Sequence, residues 1–170
     1  MMINWGQDNS KFDPNYPIKI PCELRVLFKP FFSPDEKKNE GIYEKLPSSE
    51  IFTFPSEITE EMIVHLAGFL TPLFGWKTLR IQELFPDALY EDMRTHAMIR
   101  AEFERNTRSF LEHQHRPSEC DVILCWEDNL TRREKDEYLL SKNPNLKIVE
   151  FKKIFLHYDF ELNMTKDKPT

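Results

Sequence analysis

Apolar residues at Ile58, Met62, Leu66, Phe69, Leu70 and Leu73 recur at helical spacing and predict an amphipathic helix within Ser56 to Phe74. Ser56 is placed to cap it, Glu57, Glu60 and Glu61 lie near the positive end of its dipole, and Pro72 and Gly75 mark its exit. The period then changes. Leu79, Ile81 and Leu84 predict a strand over Leu79 to Leu84, followed by a second over Phe85 to Tyr90 and a third over Met98 to Glu104. The turn-like Glu91-Asp92 stretch folds the last two into a hairpin, which brings Asp87 beside Glu102. A short helix follows between Arg105 and His115, with Phe110 and Leu111 inward, ended by Pro117-Ser118. Asp121 to Trp126 is an apolar strand, and the helix before it makes a parallel crossover natural. Leu130 to Ser141 predicts a helix starting near Thr131, Asn143-Pro144-Asn145 a turn, Lys147 to Phe155 a last strand, and His157 to Thr170 a charged tail.

The first 55 residues follow other rules. They hold seven of the twelve prolines, which excludes long regular elements, with Cys22 to Phe28 as the one strand-like run, suited to a sheet edge. Ser33 to Glu50 reads as an exposed loop. Trp5, Phe12, Tyr16, Phe31, Phe32, Tyr43, Phe52 and Phe54 are too many aromatics for a free tail, so the region is expected to pack on the core. The organisation predicted is α/β: an extension over 1–55, a core over 56–156 and a tail over 157–170.

Composition narrows the class. With 40% hydrophobic residues and fourteen Phe, the chain can bury a real core. No apolar run approaches membrane-spanning length and MMINWGQDNS lacks a signal pattern, so a soluble cytoplasmic protein with three reduced cysteines is expected. The net charge of −6 opposes nucleic-acid binding except through a local stripe. Lys77, Arg80, Arg94, Arg100, Arg105 and Arg108 are the candidates, and a solvated surface is the plainer reading of them.

The chemistry lies in carboxylates. Glu102 and Glu104 are two apart on a strand and share a face, so with Asp87 they form a three-acid cluster suited to a hard divalent cation such as Mg²⁺ (or Mn²⁺). Asp87 and Glu102 are the expected metal ligands, and Asp87, Glu102 and Glu104 the expected catalytic set. A competing placement takes Asp121 with Glu150 and Lys152, which supplies a lysine but interposes the Thr131 to Ser141 helix. His113, His115, Cys120 and Cys125 could hold zinc. They contain no tight Cys pair, and Cys120 and Cys125, five apart, should face opposite ways; a helix end and buried thiols are the preferred reading.

The succession of helix, strand, a strand bearing Pro86-Asp87, a strand bearing Glu102-Phe103-Glu104, helix and strand resembles the core of the PD-(D/E)xK nuclease superfamily, the restriction-endonuclease-like fold. Phe85-Pro86-Asp87, Glu102-Phe103-Glu104, Ser109-Phe110, His113-Gln114-His115 and Cys120-Asp121-Val122-Ile123-Leu124-Cys125-Trp126-Glu127 also resemble the segments of uncharacterised prokaryotic members of it. The likeness covers residues 56 to 127, extending toward 155, and implies a mixed sheet flanked by helices. It also implies a Mg²⁺-dependent endonuclease hydrolysing nucleic acid, DNA foremost, and sometimes working as a homodimer. Glu104 stands where the superfamily carries a lysine that orients or activates the water. The alternative implied is a catalytically inactive nuclease-fold module with a binding or regulatory role.

Overall fold

The structure is a computed structural model that describes residues 2–3, 22–28 and 52–164. The chain divides into two compact units, residues 1–54 with 154–170, and residues 55–153. Among the described residues no helix is long and apolar enough to cross a membrane.

The first unit contains a three-stranded sheet in the order β1-β2-β8, from β1 (Met2–Ile3), β2 (Cys22–Phe28) and β8 (Tyr158–Met164). The strand expected at Cys22 to Phe28 forms over those residues. Its partner was not expected: the predicted charged tail supplies β8, antiparallel to β2 from Cys22↔Met164 to Phe28↔Tyr158. Tyr158, Phe160 and Leu162 alternate with Asp159, Glu161 and Asn163, which is strand patterning beneath a charged composition. Phe155 gathers the rings of Phe52, Phe54 and Phe160 at centroid distances of 5.4, 4.9 and 5.2 Å. The remaining aromatics of the extension and the Ser33 to Glu50 segment lie outside the described residues.

The second unit is a five-stranded mixed sheet with helices, ordered β3-β4-β5-β6-β7. Its strands are β3 (Trp76–Ile81), β4 (Ala88–Asp92), β5 (Met98–Asn106), β6 (Val122–Glu127) and β7 (Lys147–Glu150). The helices are α1 (Glu60–Leu70), α2 (Thr107–Glu112), α3 (Arg132–Glu134), which runs on as a π-helix over Lys135–Leu140, and α4 (Phe151–His157), which crosses the boundary between units in sequence. β3, β4 and β5 form an antiparallel meander, then α2 carries the chain to β6, parallel to β5, and the α3 segment carries it to β7, parallel to β6.

Most boundaries follow from capping. Thr59, not Ser56, caps α1 by accepting from the Met62 N–H, so Glu60 and Glu61 occupy the first turn. Gly75, at φ 81°, closes the 3₁₀ turn Thr71–Phe74. Asn106 caps α2 through the Ser109 N–H, and Thr131 with Glu134 forms a capping box at α3. The hairpin turn lies at Met93 to Ala97 rather than at Glu91-Asp92, and Asp92 Oδ1 organises it by accepting from the N–H groups of Arg94 and Thr95. The expected strand over Lys147 to Phe155 ends at Glu150. Phe151 and Phe155, both buried and four apart, take the chain into α4.

The core has two parts. Ile63, Leu66, Ala67 and Leu70 bury one side of α1, which packs against β5 and β6. Phe110, Cys120, Ile123, Cys125, Leu130, Leu139 and Leu146 form an apolar cluster at α2, β6 and the π-helix. Cys120 and Cys125 share that cluster, contrary to the opposite facing expected, because Cys120 precedes β6 and is not part of the strand alternation. In the parallel register Glu102 lies opposite Ile123 and Glu104 opposite Cys125. The acid pair therefore shares the sheet face of this cluster, while Phe103 takes the other.

Candidate acidic and histidine site

Three elements build the site: the segment entering β4, the middle of β5 and the turn that ends α2. The β4–β5 register pairs Ala88 with Ala101, which sets Asp87 level with Glu102 and Phe103. The Asp87 N–H donates to Glu102 Oε2 at 3.1 Å, and the Phe103 N–H donates to Asp87 Oδ2 at 3.0 Å. The hairpin thus brings Asp87 and Glu102 together as the sequence predicts. Glu104, two residues along β5, is fully buried and Glu102 nearly so.

The two histidines come from an unusual helix end. Gln114 has φ 60°, the left-handed region, although it carries a side chain. The His115 N–H reaches back to the Phe110 carbonyl at 3.2 Å and the Gln114 N–H to that of Leu111 at 3.1 Å, the paired bonds of a Schellman turn. This reversal swings the residues on either side of Gln114 over the sheet. His113 Nδ1 lies 3.1 Å from Glu104 Oε1, and His115 Nε2 lies 3.0 Å from Glu102 Oε1 and 3.6 Å from Glu104 Oε1. The His115 ring stacks on Phe85 at 4.7 Å with planes 9° apart, and Phe110 lies against both rings, 5.4 Å from His115 and 6.3 Å from Phe85.

The electrostatics follow from burial and like charge. Glu102 is pushed up to about 8 by burial and by Asp87, with which it shares a side-chain hydrogen bond. Glu104 is pushed up to about 8 by burial, then by Glu60 and Asp87. Burial also raises Asp87, against the Phe103 N–H and the Glu102 carboxyl. Burial and the neighbouring His113 lower His115, disfavouring its charged form, while Asp87 and Glu60 act the other way. Without a cation the cluster therefore neutralises itself by keeping protons on its glutamates. Glu104 Oε2 is buried with no hydrogen-bond partner. The other buried oxygen without one, Glu150 Oε2, lies 2.9 Å from the Lys153 ammonium, so its charge is compensated.

The competing set does not converge. Asp121 is held by Arg100, which donates to Oδ2 at 2.9 Å and to Oδ1 at 2.8 Å. Glu150 stands beside Cys125, four positions farther along the paired strands and about 13 Å away at strand rise, and Lys152 in α4 pairs with Glu127 at 2.9 Å. The basic stripe resolves into ion pairs: Lys77 with Glu91, Arg94 with Asp92, Arg100 with Asp121, Arg105 with Glu57 and Arg108 with Glu134. The thiols of Cys120 and Cys125 contact backbone carbonyls inside the core and face no imidazole. Sequence reasoning set His113 and His115 with these cysteines; they belong with Glu104 and Glu102. It also left Glu60 aside, and α1 places that carboxylate within electrostatic reach of Asp87 and Glu104.

No family model, characterised protein or solved structure matches the chain.

Proposed function

We propose that residues 55–153 carry a divalent-metal-dependent phosphodiesterase centre acting on nucleic acid, with DNA as the first substrate to test. The observation that carries this reading is the meeting of Asp87 and Glu102 across the β4–β5 hairpin, with Glu104 next on the same face. Helix, three-stranded meander, crossover helix and parallel strand also succeed one another in the order expected of the resembling superfamily. The donor set suits a hard divalent cation: Asp87 and Glu102 offer carboxylate oxygens side by side, and the buried Glu104 Oε2 lacks a partner among the described residues.

Asp87 and Glu102 would hold Mg²⁺ or Mn²⁺, which supplies counter-charge for a phosphoryl group and acidifies water. The chain's own groups do the rest. The Phe103 N–H orients Asp87, while the Asp87 N–H and His115 orient Glu102. Glu104 takes the place of the lysine that would orient or activate the water. His113 Nδ1 stands 3.1 Å from Glu104 Oε1, and once ionised that carboxylate can accept a proton from the water.

The test is incubation of the protein with plasmid and oligonucleotides, with and without Mg²⁺ or Mn²⁺, beside Asp87→Ala. Metal-dependent cleavage lost in the variant supports the reading. A second reading, an inactive binding or regulatory module, is favoured by Glu104 at the lysine position and by the ion pairing of five of the basic-stripe residues. Absence of cleavage under every condition, with retained nucleic-acid binding, would decide for it.

A further inference from the structure

We infer that Glu104, His113 and His115 form a binding site for a transition-metal ion, beside and chemically unlike the Asp87–Glu102 oxygen pair. One ligand atom from each of the three residues lies within 4.8 Å of the other two. Two of the separations, 3.1 Å from Glu104 Oε1 to His113 Nδ1 and 3.6 Å to His115 Nε2, bracket the roughly 3.3 Å between ligand atoms of a tetrahedral ion with bonds of about 2.0–2.1 Å. Only the two imidazoles must draw closer, and His113, with its side chain 47% exposed, has room to move.

The ligand chemistry selects the ion. Two imidazoles and a carboxylate are the donors of Zn²⁺, Co²⁺ and Mn²⁺ sites; Mg²⁺ prefers oxygen alone. The surroundings are those of a built site. Glu104 is fully buried, and its second oxygen has no partner among the described residues. His115 packs in a three-ring contact with Phe85 and Phe110. The Schellman turn at Gln114 fixes the backbone of both histidines. Plain imidazole–carboxylate hydrogen bonding explains one contact for each histidine, but not the second Glu104 oxygen, buried with no partner among the described residues.

This inference goes beyond the phosphodiesterase reading and does not need it, since the ion can bind whether or not the chain cleaves anything. The full chain, freed of metal with chelator, is titrated with Co²⁺ by calorimetry and by visible absorption, and Zn²⁺ or Mg²⁺ is then added in competition. One Co²⁺ per chain is expected, with a d–d band stronger than that of the aqueous ion, displaced by Zn²⁺ and resistant to millimolar Mg²⁺. His113→Ala and His115→Ala should each weaken binding by at least the roughly 10–100-fold that loss of a supporting group costs. Asp121→Asn, at a residue outside this cluster that pairs with Arg100, should leave it intact. His113→Gln, judged by its thermal melt to be folded, guards against collapse of the alanine variants. Wild-type protein without the band, histidine variants that bind as tightly as wild type, or loss of Co²⁺ in Asp121→Asn would each overturn the site. A chain that binds Co²⁺ as described but cleaves no nucleic acid would sink the phosphodiesterase reading alone.

Discussion

Replacing Glu104 with glutamine should stabilise the metal-free protein at alkaline pH and weaken its stabilisation by Zn²⁺. The Glu104 carboxyl, ordinarily near 4.5, titrates near about 8 in the fold because it is buried, with Glu60, Asp87 and Glu112 nearby and only Arg105 opposing them. Between those two values the folded state binds more protons than the unfolded chain, so stability falls as pH rises. It is undiminished below the lower value and fully reduced above the upper one. At 1.36 kcal/mol per pH unit the loss from this one group approaches about 5 kcal/mol, a large share of the ~5–15 kcal/mol that hold a domain together. Glutamine keeps the shape and the acceptor facing His113 but cannot ionise. Thermal melts in chelator at pH 5, 7 and 9 should show the two proteins close together at pH 5. By pH 9 they should diverge by roughly 10 °C in favour of Glu104→Gln, at ~2–4 °C per kcal/mol for a chain of this size. The variant should retain part of the downward slope, because Glu102 also titrates near about 8. Adding Zn²⁺ at pH 8 should raise the wild-type melting temperature, since an ion bound only by the folded state shifts the equilibrium toward it, and should raise that of the variant far less. Parallel pH curves for the two proteins, or a wild type that grows more stable toward pH 9 without metal, would refute the reasoning.

Other consequences are open to direct measurement. Asp87→Asn should lower any Mg²⁺-dependent cleavage by at least about a thousandfold while leaving the melting temperature within a few degrees, because the Asp87 N–H that supports Glu102 survives; cleavage assays beside melts check both halves. Gln114→Gly should raise stability by up to about 1 kcal/mol in chemical denaturation, relieving a left-handed side-chain residue, whereas Gln114→Val should cost about 1–2 kcal/mol and weaken Co²⁺ binding by displacing both imidazoles. Thr131→Ala should cost about 1 kcal/mol by opening the capping box of α3. Burial pushes the Cys120 thiol up to about 12 and the Cys125 thiol up as well, so neither should alkylate with iodoacetamide at pH 8 until denaturant is added; mass spectrometry of the labelled protein would show it.

The legible parts of this chain are those where a local rule and a long-range need agree. The acid-x-acid strand and the hairpin ahead of it were readable because period-2 alternation puts Glu102 and Glu104 on one face, and folding back at residues 93–97 leaves Asp87 one place to go. The parallel step from β5 to β6 followed from the helix between them. Where two periods fit one stretch, reading failed. Phe151-Lys152-Lys153-Ile154-Phe155 alternates loosely enough to pass for strand, and burial of Phe151 and Phe155 on one helical face decided it; Tyr158 to Met164 alternates well but is charged enough to pass for a tail. The histidines were hidden for a different reason. A glycine at position 114 would have announced a left-handed helix end, and glutamine announces nothing, so His113 and His115 read as a plain helix end beside buried thiols. The departures from ordinary local rules then gather in one place: a side-chain residue in the left-handed region, two buried glutamates held protonated, and a carboxylate oxygen with no partner. His96, the other such backbone outlier among the described residues, sits in an exposed hairpin turn that Asp92 organises. Strain and unmet polarity that converge on a single cluster, while the caps and ion pairs around it are satisfied, mark where a sequence has given up stability for chemistry. A cation at that cluster would satisfy the buried oxygen and bear the charge the glutamates otherwise avoid; Arg105, which opposes the acids around Glu104, also faces Glu57 at 3.8 Å.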